Sequence, residues 1–134
     1  MKLKLAIFAA ALATAVPASA QSGPQEIISI YHVAPGQHVQ FLRWEDQQDR
    51  LARAAGIAPG RLYAHTDGDS WDYLVINPVT TPTQDAALEA AGKRMGVNVM
   101  RGGIEMRKYI TSHTDTFVRG PMSAAEYLAL LGEK

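Results

Sequence analysis

RKYITSHTDTFVRGP, Arg107 to Pro121, reads as a long β-strand. Tyr109, Ile110, Thr111, Thr114, Thr116, Phe117 and Val118 suit a pleated surface. Side chains two apart share a face. One face therefore carries Tyr109, Thr111, His113, Asp115 and Phe117, and the other carries Ile110, Ser112, Thr114, Thr116 and Val118. Neither is the apolar row of a core strand, so the pattern predicts a site wall, a subunit contact, or both.

Upstream of this strand, Asn98 to Glu105 contains Gly102-Gly103 and reads as a linker or a short extra turn of helix. Before it, Thr81-Pro82-Thr83-Gln84 opens a helix. Thr81 is placed to cap, Pro82 suits the first helical position and Gln84 closes a capping box. The helix runs to Arg94 or Met95, with Gly96 as its stop. Earlier still, Arg61–Thr66 and Trp71–Asn77 read as two antiparallel strands joined by Asp67-Gly68-Asp69-Ser70, which has the composition of a hairpin turn. Gln37–Ala55 reads as a helix with a stripe of Phe41, Trp44, Leu51 and Ala55, with Asp46–Arg50 and Asp49–Arg53 as i,i+4 pairs on its wet side. Trp44 is most simply a plug between helix and sheet. Glu26–Val33 is the first strand. Ile28, Ile30 and His32 share one face, and Ile27, Ser29, Tyr31 and Val33 share the other.

Downstream, Pro121 ends the extended run, and Ser123 with Glu126 forms a second capping box. A short helix from Ala124 to Leu131 shows Tyr127, Leu128, Leu130 and Leu131, which need cover. The order is strand, helix, strand, strand, helix, strand, then a tail helix. This predicts an α+β fold, a ferredoxin-like βαββαβ sandwich with both helices on one face of a four-stranded antiparallel sheet. The second face also needs a cover, since Tyr31, Tyr63, Tyr73 and Tyr109 would not all stand comfortably in water.

The first twenty residues have a different character. Lys2 and Lys4 precede an apolar run from Leu5 to Val16, and Pro17 leads into Ala18-Ser19-Ala20, a small-x-small cleavage pattern. Residues 1–20 are expected to be a secretory signal peptide, leaving residues 21–134 as a single domain, periplasmic or secreted. From Gln21 onward eleven basic residues face thirteen acidic ones, a net charge of −2. No polyphosphate-binding surface is expected, hence no nucleic acid partner, and no membrane association once the signal is removed. The chain has no cysteine, which excludes disulfides, thiol catalysis and Cys-based metal sites.

The chain resembles the dimeric α/β-barrel superfamily, which includes small antibiotic-biosynthesis-type monooxygenases, stress-responsive barrel proteins and several haem-binding enzymes. The likeness lies in the element order, in HVAPGQHVQFLRW (His32–Trp44) and in the hairpin RLYAHTDGDSWDYLVIN (Arg61–Asn77), and spans Glu26 to Val118. It implies a homodimer whose two sheets close on each other, with a pocket between sheet and helices. It implies no one activity, because the fold hosts many.

His-Thr-Asp occurs twice, at His65-Thr66-Asp67 and His113-Thr114-Asp115. In a strand each tripeptide puts imidazole and carboxylate on one face, with Cα atoms roughly 7 Å apart. Such a pair suits a general base or a metal site's outer shell, or each Asp simply serves a turn or an Arg. No metal is expected, although His65, His113 and the aspartates are of a type that holds divalent ions. No cofactor is expected either. A haem, as the resemblance allows, would be noncovalent and would need His113 or His32 as its proximal ligand. His32 otherwise reads as a partly buried side chain, and Arg119 as an anion ligand or a partner for Asp115. No Gly-x-Gly-x-x-Gly or Gly-x-Ser-x-Gly is present.

Three functions remain open. The first is an exported small-molecule-binding barrel, using Tyr63, Trp71, Tyr73 and Tyr109 for apolar contact, with His65, His113 and Asp115 as polar anchors. Another is a cofactor-independent monooxygenase, isomerase or cyclase in which His113, oriented by Asp115, removes a proton. The third is a structural dimerisation module.

Overall fold

The computed structural model describes residues 25–133; the expected signal peptide lies outside them. The strands are β1 (Gln25–Val33), β2 (Arg61–Ala64), β3 (Tyr73–Pro78) and β4 (Ile110–Arg119). The main helices are α1 (His38–Ala54) and α2 (Pro82–Met95), and α4 (Ala124–Leu130) closes the chain. Between α2 and β4 a 3-10 turn, Val99–Arg101, runs into a short helix, α3 (Gly102–Met106).

The four strands form one antiparallel sheet in the order β2-β3-β1-β4, and the molecule is a ferredoxin-like α+β sandwich. β1 is central because its alternate residues are apolar on both faces. Its Ser29, Tyr31 and Val33 are buried, and Tyr31 meets Phe41 of α1 with ring centroids 4.9 Å apart. That contact identifies the helix-covered face. Phe41, Val75 and Met106 complete the central cluster, with Trp44, Tyr73, Tyr109 and Ile110 packed around it.

Local signals account for the helix ends. Thr81 accepts from the Gln84 backbone N–H, and the Gln84 side chain accepts from the Thr81 N–H, with Pro82 inside the first turn. Gly96 ends α2 in the left-handed region at φ 68°, where glycine carries no Cβ penalty. The Ser123–Glu126 box caps α4 in the same manner. Asp46–Arg50 and Asp49–Arg53 pair along α1 at 3.0 and 3.7 Å. Gly92 lies so close to the turn after α2 that a Cβ there would sit 2.7 Å from the Val97 carbonyl oxygen.

Three expectations need correcting. Strand β2 stops at Ala64 and β3 begins at Tyr73, so the connection covers residues 65–72 rather than a four-residue turn. Asp72 sits where the pairing ends: its carbonyl accepts from the His65 N–H, one residue beyond the Ala64–Tyr73 pair, its N–H donates to Tyr31 O, and its carboxylate accepts from the Val33 N–H at 2.6 Å, bracing β1. Second, β4 begins at Ile110, leaving Tyr109 in the preceding turn. A bulge opposite His32 and Val33 shifts the register so that Ile110 stands opposite Val33 and packs against the helix-side core, off the face that alternation gave it with Ser112 and Thr114. Third, the tyrosines do not share an uncovered face. Tyr31, Tyr73 and Tyr109 belong to the helix-side core, and Tyr63 alone lies on the open face, 51% exposed.

Candidate functional site

On the covered face, β4 runs along β1 so that His113 pairs with Tyr31 and Asp115 with Ser29. The Ser29 hydroxyl donates to Asp115 Oδ1 at 2.7 Å. His113 Nε2 stands 3.4 Å from Asp115 Oδ2, and its ring stacks on Tyr31 at 5.8 Å. Imidazole and carboxylate thus share one face. They lie on an edge strand, however, with side chains 29% and 47% exposed.

A cleft of about 270 Å³ opens beside this pair, between the sheet and the helices. Tyr31 of β1, Asn77 of β3, Trp44, Glu45 and Gln48 of α1, and Leu88 of α2 line it. Neither His113 nor Asp115 is among its walls. Glu45 is 9% exposed, and among the described residues no side chain forms an ion pair or hydrogen bond with its carboxylate. Burial raises its pKa from 4.5 to about 7, and the nearby Asp49 charge adds to the rise. Burial likewise pushes the Tyr31 phenol up to about 12, reinforced by Glu45, so it stays a hydroxyl at neutral pH. A larger hollow of about 400 Å³ runs along the end of α2. Its Glu89 and Lys93 are exposed and opposite in charge, and nothing polar is buried in its walls.

The other anticipated site residues are dispersed. Tyr73 stacks on Phe41 at 5.3 Å, and its hydroxyl is 3.4 Å from His38 Nδ1; its ring is core. Tyr109 packs beneath the sheet, and its carbonyl accepts from the Ala34 N–H. His65 and Trp71 meet edge-on at 5.0 Å within the 65–72 connection, where His65 Nε2 is buried without a partner. His32 and Tyr63 alternate onto the open face. Arg119 ends β4 opposite Gln25, near Phe117 and Tyr127. It does not pair with Asp115, whose oxygens are engaged by Ser29 and His113. Register explains the scatter: residues of like chemistry fall on opposite faces or at opposite ends of the sheet.

Neither cofactor considered above fits. Among the described residues no three His, Asp or Glu side chains gather as a metal site. As haem ligands, His113 is turned to Asp115 outside the cleft walls, and His32 lies on the far face of the sheet.

Glu45 was absent from the sequence reading although a signal for it existed. Positions 41, 45, 48 and 52 form one helical stripe, and a carboxylate stands in it between Phe41 and Ala52. Tracing the stripe through Phe41, Trp44 and Leu51 steps over it.

No protein-family model matches the chain, and no curated protein matches it. Among solved structures, PA3566 from Pseudomonas aeruginosa is similar, with a TM-score of 0.51 at 16% identity over 75% of this chain and 97% of that one. An uncharacterized NIPSNAP domain protein from Burkholderia xenovorans is similar at a TM-score of 0.43 and 13% identity, over 75% and 96% of the two chains. At the level of fold the chain fits the broad ferredoxin-like group to which dimeric α/β barrels belong.

Proposed function

We propose that this domain binds a small, largely apolar molecule in the cleft between sheet and helices. One observation carries the proposal. A mostly apolar recess is walled by Trp44, Leu51, Ile57 and Leu88 and holds a few converging polar groups, Glu45, Gln48, Asn77 and the Tyr31 hydroxyl. Small-molecule sites generally have this composition. The His113–Asp115 pair supports the site from outside by packing on Tyr31 and, through Ser29, steadying its strand. As part of the same reading, the chain is exported after cleavage before Gln21 and pairs as a homodimer through its open sheet face, where Ile28, Ile30, Leu74 and Ile76 lie together.

Fluorescence of Trp44 in a Trp71→Phe background tests the binding reading. Titration with small aromatic alcohols and amines should shift Trp44 emission with saturable concentration dependence, and Ala52→Phe, which fills the cleft without adding a second indole, should abolish the response. No saturable shift with any of them, or an unchanged response in the filled variant, would overturn it.

A further inference from the structure

The cleft carries an unbalanced charge, and its walls indicate which ligand would balance it. The ionisable groups among its lining residues are Glu45 and Tyr31, and no Lys, Arg or His joins them. The elements packed against Glu45 offer it no cation. β1 presents the Tyr31 phenol, β3 the neutral Asn77 amide, α2 the apolar Leu88, and the 3-10 turn Val99. On α1 the nearest ionisable neighbour is Asp49, of like charge. Arg101 and Glu105 border an adjoining hollow beyond Trp44 and Gln48 and are not among the walls of this cleft.

A largely buried carboxylate with no cation beside it is disfavoured in its charged form, which a protein relieves by holding it protonated or by pairing it. An anionic ligand would worsen the imbalance. A neutral one would leave it as it is. A cationic one would supply the missing partner, and the aromatic surface of Trp44 on the same walls is suited to a cation. The cleft has room for roughly nine groups the size of a water molecule, at ~30 Å³ each.

Resting on the binding site proposed above, we infer that the cleft takes a small organic amine, its ammonium paired with the Glu45 carboxylate and its apolar body against Trp44, Leu51 and Leu88. Burial first, and then the Asp49 charge, raise the pKa of Glu45, and an ammonium beside it would return the carboxylate to its charged form.

Two probes of nearly equal shape decide the matter. 2-Phenylethylamine and 2-phenylethanol are titrated into the full mature chain at pH 8 while Trp44 emission is followed in the Trp71→Phe background. The amine is expected to bind at least about 10-fold more tightly than the alcohol, with that preference abolished in Glu45→Gln. Alcohol binding by Glu45→Gln shows that the variant is folded and its cleft intact. In calorimetry at pH 7 the amine should release part of a proton, seen as a heat that changes with the buffer's ionisation enthalpy, and Glu45→Gln should release none. Equal binding of the two probes, or an amine preference that survives Glu45→Gln, overturns the amine assignment and leaves the binding site standing. If neither probe shifts Trp44, the site itself falls.

Discussion

On the covered face of the sheet, β1 presents Ser29, Tyr31 and Val33, all buried, and β3 presents Tyr73, Val75 and Asn77. On the open face the same two strands present Ile28, Ile30, Leu74 and Ile76, which remain partly exposed. The more aliphatic face is therefore the one without helices, and the face that became the core carries a hydroxyl, a phenol and an amide. The difference separates two roles. Polar groups on the covered face suit the binding role proposed for the cleft, and they are enclosed at the cost of satisfying them. A plain aliphatic face has no such task, and its one evident use is to be covered by another flat apolar surface. α4 adds to this second group, with Tyr127, Leu128, Leu130 and Leu131 between 46% and 60% exposed.

The contrast can be broken first at its strongest point. Phe41 is fully buried where helix meets sheet, so Phe41→Ala should cost about 3–5 kcal/mol in urea denaturation. A loss below about 1 kcal/mol, within the range of surface substitutions, would mean that the covered face is not the core.

Next in size is a pH effect confined to the same face. Glu45 titrates at about 7 in the folded chain against 4.5 ordinarily. The folded state therefore holds this proton more tightly than the unfolded chain. Its contribution to stability is fully present below about pH 4.5 and is lost as the pH rises through 7, a decline of about 3 kcal/mol by pH 8. Glu45→Gln should flatten that decline, so that the variant is the more stable protein at pH 8. Parallel stability–pH curves for the two proteins would contradict the burial of an unpaired carboxyl.

A smaller effect is expected behind α2. A Cβ at Gly92 meets the backbone of Val97 and the side chain of Val99, so Gly92→Ala should destabilise by about 1–3 kcal/mol through overpacking. A stabilised variant would show that the turn after α2 moves freely away.

The open face should respond in the opposite sense. Ile30→Lys should change thermal stability of the isolated subunit by less than about 1 kcal/mol, yet break the proposed pairing, so that sedimentation shows a dimer for the unaltered chain and a monomer for the variant. Smallest of all, Asp46→Ala on the wet side of α1 removes an ion pair whose members are both 60% exposed, and should cost no more than about 0.5 kcal/mol.

Much of the architecture was legible because it depends on local signals. The Thr81 and Ser123 capping boxes, the Gly96 stop and the alternation along Glu26–Val33 each act within a few residues, and the observed helices and strands begin and end close to where those residues stand. Element order then leaves few arrangements for two helices and four strands. Less of the candidate site was legible. His113 and Asp115 share a face as alternation requires, but whether that face looks into a cleft or along its rim depends on the position of α1. Likewise, Ile110 reached the helix side because of a bulge opposite His32 and Val33 that no residue in Arg107–Pro121 announces.

The amino-acid sequence by itself determined the element types, their order and which side chains alternate together, since those follow from backbone geometry and from contacts between near neighbours. Only the tertiary structure decided which face of the sheet the helices cover and that, among the described residues, no cation pairs with Glu45. Both depend on distances between segments far apart in the chain, and burial and charge are properties of everything that surrounds a group in space.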